Sequence, residues 1–266
     1  MTAGGNRGFD AKVAHSARVY DYWLGGKDNF EADRIAGEAT IAAYPQIRSS
    51  ARANRAFLAR TVHFLAADQG LRQFLDIGTG LPTANNTHEV AQSVAPESRI
   101  VYVDNDPLVL SHARALLNSS PEGVTAYLDA DLRDTDRILE LAAGTLDFTQ
   151  PVAIMLLAIL HYIPDLDQAR RIVARLVSAV PSGSYVTISH AASDISPEEM
   201  AEMIRRMNEH LAEGNHVRRT RDTVAQFFAD VDLVEPGVVE VTEWRPRSEL
   251  EAEGPTSLWG GVGRKP

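Results

Sequence analysis

Residues 74–80, Phe-Leu-Asp-Ile-Gly-Thr-Gly, run an apolar strand into a Gly-x-Gly turn. Glycines there let the backbone bend sharply and let a ligand approach it closely. Gly78 and Gly80 are therefore candidate ligand contacts, with Thr79 between them and Asp76 just before. An ordinary strand-to-helix turn carries the same glycines, so the loop does not decide alone. A dinucleotide site adds a third glycine three residues further on. Thr83 stands there, after Pro82, which counts against a nicotinamide or flavin cofactor.

A second acid, Asp104, ends the apolar run Ile100–Val103 and is followed by Asn105. At that place a carboxylate can take both hydroxyls of a ribose. Asp106, just before Pro107, reads as a helix cap instead. A third cluster, Asp129, Asp131 and Asp134, follows the next apolar run. The order Asp-x-Gly-x-Gly resembles the loop of S-adenosylmethionine (SAM)-dependent methyltransferases. That resemblance implies that Asp131 accepts from the adenine amino group while Leu132 meets the ring nitrogen. Asp129 competes for this role, and Asp134 reads as the next cap. Residues 155–165, Met-Leu-Leu-Ala-Ile-Leu-His-Tyr-Ile-Pro-Asp, resemble the fourth-strand motif of small-molecule methyltransferases. Ala158 lies towards the carboxyl end of that strand, where ligands bind in such sheets. Residues 180–190, Val180 to His190, resemble the proline-glycine turn and fifth strand of the same enzymes.

Methyl transfer from SAM needs alignment and exclusion of water, and a base only for a hydroxyl or a weakly nucleophilic nitrogen. His161 and His190, both near strand ends, are the candidate bases. Tyr20, Tyr22 and Trp23 are candidate walls of an acceptor pocket, or pins between the N-terminal segment and the sheet. Arg55, assisted by Asn54, is the candidate partner of the cofactor's carboxylate, with Lys27 and Asn29 as weaker ones. No two histidines have metal-ligand spacing, and His210 and His216 read as solvated, so no metal is expected. No Gly-x-Ser-x-Gly nucleophile elbow is present.

These residues need a frame that brings four strand ends together. Short apolar strands are expected over Gln73–Ile77, Arg99–Val103, Thr125–Leu128, Pro151–Ala158 and Ser184–His190. Helices are expected at Leu81–Ala95 (with a loop), Pro107–Asn118, Asp134–Ala143 and Leu166–Val180. Such alternation specifies a parallel α/β sheet covered on both faces. Pro197–Glu213 and Thr220–Ala229 read as further helices, and Val231–Val234, Val238–Glu243 and Leu258–Val262 as closing strands. Before the sheet, Lys12–Phe30 reads as two short helices parted by Gly25-Gly26, and Arg48–Ala67 as one helix. The expected organisation is a disordered N-terminus over 1–11, a helical cap over 12–70 and a Rossmann-like domain over 71–266, with cap and domain one unit. The glycine pair reads as the hinge of a mobile lid.

Residues 18–30, Arg-Val-Tyr-Asp-Tyr-Trp-Leu-Gly-Gly-Lys-Asp-Asn-Phe, and 51–58, Ala-Arg-Ala-Asn-Arg-Ala-Phe-Leu, are not general methyltransferase features. Neither are Asn85, His88 and Glu89 after the glycine loop, Trp244-Arg245-Pro246, or the closing Gly261-Val262-Gly263-Arg264-Lys265. Together they resemble the actinobacterial S-adenosyl methyltransferase family first catalogued as a domain of unknown function, across about residues 12–265. The resemblance implies a class I methyltransferase fold, Rossmann-like, with a mostly parallel seven-stranded sheet, helices on both faces and SAM as cofactor. It implies little about the acceptor. A small molecule is expected, with a SAM-binding sensor or partner-binding protein as the alternative.

The composition agrees. The 266 residues carry a net charge of −10, which opposes a phosphate backbone as partner. No Asn-Pro-Pro-Tyr or Asp-Pro-Pro-Tyr run follows the fourth strand, so a nucleic-acid methyltransferase is not expected. Residues 1–60 hold nine cations against six anions, a net +3, and can fold over an anionic group. The absence of cysteine excludes disulfides and thiol catalysis and fits a cytoplasmic protein. The longest apolar run, Val152–Leu160, is far short of the ~20 residues of a membrane span.

Overall fold

The computed structural model describes residues 10–109, 111, 119–211, 216–248, 251, 254 and 256–266. Residues 1–9 of the N-terminal stretch expected to be disordered, and most of the helix expected at Pro107–Asn118, lie outside them. Two helices, α1 (Ser16–Leu24) and α2 (Glu31–Ala43), precede α3 (Ile47–His63), which continues as a π-helical turn over Phe64–Asp68. There follow β1 (Gln73–Ile77), α4 (Thr87–Val94), β2 (Arg99–Asp104), β3 (Val124–Asp129), α5 (Thr135–Ala142) and β4 (Ala153–Leu157). After a 3-10 turn at Leu160–Tyr162 come α6 (Leu166–Ser178), β5 (Tyr185–Ala191), α7 (Pro197–His210) and α8 (Arg221–Ala225). Three strands close the chain: β6 (Asp232–Leu233), β7 (Val239–Glu240) and β8 (Leu258–Arg264). No described helix is long and apolar enough to cross a membrane.

The strand order is β3-β2-β1-β4-β5-β8-β6, with β7 also paired to β8. Strands β1 to β5 are mutually parallel, and β8 runs antiparallel to β5. The sheet has eight strands rather than the expected seven. The difference lies at one margin: β6 pairs with Gly263 and Arg264 of β8, β7 with Trp259 and Gly260, so two short strands share the position of one.

Side chains alternate across the sheet, as its pleat requires. Leu75, Ile77, Val101, Val103, Ile154 and Leu156 face one layer, which includes α5, α6 and α8. Phe74, Ile100, Tyr102, Ala153 and Met155 face the other, which includes α3. A third cluster joins Val19, Trp23 and Tyr44 to Met200, Met203 and Met207. The N-terminal helices therefore pack against α7, from much later in the chain. Helix α2 was not anticipated, although Glu31 and Asp33 mark its first turn and Asp33 accepts from the Phe30 N–H at 2.8 Å.

The glycine pair has a static explanation. Gly25 caps α1 in the left-handed conformation at φ +86°. A Cβ on Gly26 would fall 1.9 Å from the Asp21 carboxylate. That carboxylate is buried and accepts from the Asp28 N–H at 3.0 Å and Asn29 Nδ2 at 2.8 Å.

Candidate active site

A cleft of about 1150 Å³, open to solvent, lies at the carboxyl ends of β1, β2 and β4, with the loop after β3 and the start of α1 as further walls. It sits where the strand order reverses, between β1 and its neighbours, as expected for a ligand site in an open α/β sheet. Asp76, Gly78, Thr79, Gly80, Asp104, Asn105, Asp131, Leu132, Ala158 and Arg55 all border it. Gly80 turns at φ +67°, and a Cβ built there meets nothing within 4 Å. Its backbone thus leaves room for close approach by a ligand.

Asp104 ties the strand ends together. Its Oδ2 accepts from the Gly80 N–H and its Oδ1 from the Asp106 N–H, each at 2.9 Å. Two of its roughly four acceptor sites remain for a diol. Burial raises its pKa, against the pull of the two backbone bonds. Asp76 is 5% exposed and accepts from Thr87 Oγ1 at 2.6 Å. Burial pushes its carboxyl up to about 6, opposed by the Thr87 bond and by Arg55. A buried carboxylate without a bonded cation favours a ligand that brings positive charge.

On the far wall, Asp131 accepts from the Arg133 backbone at 2.8 Å and its guanidinium at 3.2 Å, with Asn105 Nδ2 at 3.4 Å. Its competitor Asp129 is exposed and outside the cleft. Asp134 caps α5 by accepting from the Arg137 N–H, and Asp106 accepts from the Leu108 N–H at 2.8 Å. Arg55 Nη2 holds the carbonyls of Ala84 and Asn85 at 3.2 and 3.1 Å, while its Nε is enclosed without a partner. That orphaned donor suits a carboxylate. Lys27 is exposed and Asn29 is engaged with Asp21, and neither borders the cleft, so neither takes the role considered for it. His15, Ser16 and Ala17 do border it, and His15 Nδ1 lies 2.9 Å from Asp106 Oδ2. Nothing in their residue types signalled this.

A second, apolar chamber, of about 680 Å³ counting space open to solvent, adjoins the cleft, and Ser16, Tyr20, Ala158 and Tyr162 border both. Ala158 takes the left-handed conformation at φ +51°, which strains a residue with a Cβ. A hydrogen-bond chain holds that turn: the Ala158 N–H donates to Ser189 Oγ at 2.9 Å, and Ser189 Oγ donates to Asn54 Oδ1 at 2.6 Å. Asn54 Nδ2 then donates to the Tyr20 hydroxyl at 3.2 Å, which donates to the Ala51 carbonyl at 3.1 Å. Trp23 lines the chamber beside Tyr20. Tyr22 borders neither cavity, because its hydroxyl turns outward to the Glu38 carboxylate.

The two candidate bases separate. His161 lines the chamber, and burial, with His216, His190 and Arg219 nearby, holds its pKa well below the usual imidazole value. His190 lines neither cavity. Its Nδ1 lies 2.9 Å from the Ala191 carbonyl and its Nε2 2.7 Å from Arg219 Nη1, so the fold uses both nitrogens and burial takes its pKa to about 3. The expected catalytic role for His190 is thereby replaced by a structural one. His216, expected to be solvated, is buried against the chamber with Nδ1 2.8 Å from Asn208 Oδ1, whereas His210 is exposed. Met200, Met203 and Met207 form another wall, and their i, i+3, i+7 spacing is the signal that would have found them.

A protein-family model described as S-adenosyl methyltransferase matches residues 2–266. No curated protein matches the chain in sequence. A crystal structure of a DUF574 family protein from Streptomyces avermitilis is 46% identical, covering 97% of this chain and 99% of its own, with a TM-score of 0.93. A Thermobifida fusca crystal structure is 40% identical, covering 99% of each chain, with a TM-score of 0.88. An O-methyltransferase family 2 protein of Planctomyces limnophilus, crystallised with apigenin, shares the fold at 17% identity and TM-score 0.51, covering 93% of this chain and 65% of its own.

Proposed function

The chain belongs to the S-adenosyl methyltransferase family, and from that premise we propose that this SAM-dependent methyltransferase acts on a small molecule seated in the apolar chamber. The observation that carries the reading is the shared border of the two cavities at Ser16, Tyr20, Ala158 and Tyr162. A cofactor in the cleft and an acceptor in the chamber meet only there. Bound SAM supplies an activated methyl group: its carbon–sulfur bond breaks with the electrons left on sulfur as the acceptor's lone pair bonds the methyl carbon.

In this reading Gly78, Thr79 and Gly80 receive the cofactor against backbone, and Asp104 with Asn105 holds the ribose. Asp131 and Leu132 meet the adenine, Arg55 takes the carboxylate, and Asp76 faces the positive charge. Ala158 shapes the passage for the methyl group, and Tyr20 and Trp23 wall the acceptor. Residues 12–70 act as the cap of one unit with the domain over 71–266, and neither nucleic acid nor a membrane is a partner.

Calorimetric titration with S-adenosylhomocysteine tests the cofactor site. Saturable binding that Asp104→Ala weakens at least tenfold is expected. Unchanged binding in that variant would remove the assignment of the cleft.

A further inference from the structure

Among the described residues that line the chamber there is no Lys, Arg, Asp or Glu. Its titratable groups are the phenols of Tyr20 and Tyr162 and the imidazoles of His161 and His216. His161 stays neutral in the physiological range. An acceptor carrying a carboxylate, phosphate or ammonium would leave water here without a counter-ion among these walls, which burial penalises. An uncharged acceptor incurs no such cost.

The walls also have a shape preference. Met200, Met203 and Met207 present unbranched, polarizable thioethers, and Trp23 presents an aromatic ring. Thioethers pack favourably against aromatic rings and adapt to their outline. Beside the shared mouth stands His161, its ring centroid 4.3 Å from that of Tyr162. His161 Nδ1 is enclosed without a partner, so any bond its ring makes to an occupant goes through Nε2. Arg219 fixes the turn that carries it, donating to the carbonyls of Leu160 at 3.1 Å and Ile163 at 2.7 Å.

We propose that the methyl acceptor is an uncharged, flat, aromatic molecule with a hydroxyl group, its ring against the methionine wall and its oxygen at the mouth beside His161. The inference rests on the reading of the chamber as the acceptor site. In the transfer the hydroxyl proton passes to His161 Nε2 while the oxygen bonds the methyl carbon. The sulfonium's positive charge is thereby replaced by an imidazolium beside it, and the imidazolium later releases its proton to water.

The test uses the full chain loaded with S-adenosylhomocysteine, its methionine methyl groups labelled with carbon-13. The chain has five methionines. The probes are 2-naphthol, naphthalene, 2-naphthoate and protonated 2-naphthylmethylamine. Expected is that 2-naphthol moves the methyl resonances of Met200, Met203 and Met207 and leaves that of Met155, which is buried in the sheet. The two charged congeners bind at least tenfold more weakly. 2-Naphthol exceeds naphthalene several-fold, and His161→Phe, which has no hydrogen-bonding side-chain atom, erases that margin. Tight binding of a charged congener, an equal shift of Met155, or no binding of either neutral probe would overturn the proposal. So would a naphthol margin that survives His161→Phe. Should that variant not fold, a change in the His161 ring resonances of the wild-type protein on adding 2-naphthol, but not naphthalene, makes the same distinction. Loss of S-adenosylhomocysteine binding in the wild type would strike the cofactor reading instead.

Discussion

Arg219 Nη1 lies 2.7 Å from His190 Nε2, both side chains buried beneath the turn that carries His161. The same guanidinium donates to the carbonyls of Leu160, Ile163 and Pro164 and stacks on Phe227 at 5.5 Å. One side chain thus satisfies the buried carbonyls of Leu160 and Ile163 and the buried His190 imidazole, and also reaches the Pro164 carbonyl at the surface.

Replacing Arg219 with methionine strands those acceptors. Each buried unsatisfied polar group costs about 1–3 kcal/mol, so a total loss on the order of 3–5 kcal/mol is expected. Arg219→Lys should recover little of it, since one ammonium cannot span four acceptors in a planar fork. Urea titration of both variants measures this, and a loss under 1 kcal/mol in Arg219→Met would refute the role.

Asp76 should set a conflict between stability and binding. Its folded pKa, about 6, lies above its ordinary value of 3.8. The folded state therefore keeps the proton to higher pH than the unfolded chain. The destabilisation is absent below about pH 4, grows between pH 4 and 6 and is complete above 6. Asp76→Asn should stabilise the ligand-free protein at pH 8 by something on the order of 2–3 kcal/mol, and by much less at pH 4.5. For the wild type, SAM affinity should rise with pH through 6 and be roughly tenfold weaker at pH 5 than at pH 8. Thermal melts and titrations at these pH values check both signs.

Arg55 discriminates between two halves of the cofactor. If its orphaned Nε meets the cofactor carboxylate, Arg55→Gln should weaken S-adenosylhomocysteine by about 10- to 100-fold. Binding of 5′-methylthioadenosine, which lacks the amino-acid portion, should not change. Equal losses for both ligands would place Arg55 elsewhere.

The start of α1 should respond to the ligand. His15, Ser16 and Ala17 border the cleft, and His15 is held by Asp106. A cofactor packed against them should slow amide exchange over residues 12–30. Identical protection with and without S-adenosylhomocysteine would show that the segment does not close on the ligand.

The sheet was legible because its strands read as continuous apolar runs with acids at their ends. Gly80, Asp104 and Asp131 sit where strand order alone puts them. The chamber was less legible because its walls come from α1, α7 and the segment around His216, which only tertiary packing unites. His190 misled for the same reason: its strand-end position is visible in sequence, while Arg219 lies 29 residues away. Tyr22 and Trp23 are adjacent, and the helical turn of about 100° per residue sends one to solvent and the other inward. The glycine pair reads as a hinge in sequence, and the static geometry adds that Gly25 caps α1 and Gly26 leaves room for the Asp21 carboxylate.

The split margin of the sheet bears on self-association. An unpaired strand edge is a template for another chain. Beside β8 that template is already occupied at both ends by β6 and β7, each only two residues long. An incoming strand therefore meets two short, interrupted stretches instead of one continuous ladder. At the opposite margin β3 offers six residues, with Val124 exposed. Edge-to-edge aggregation of the folded protein is thus directed to one side of the sheet.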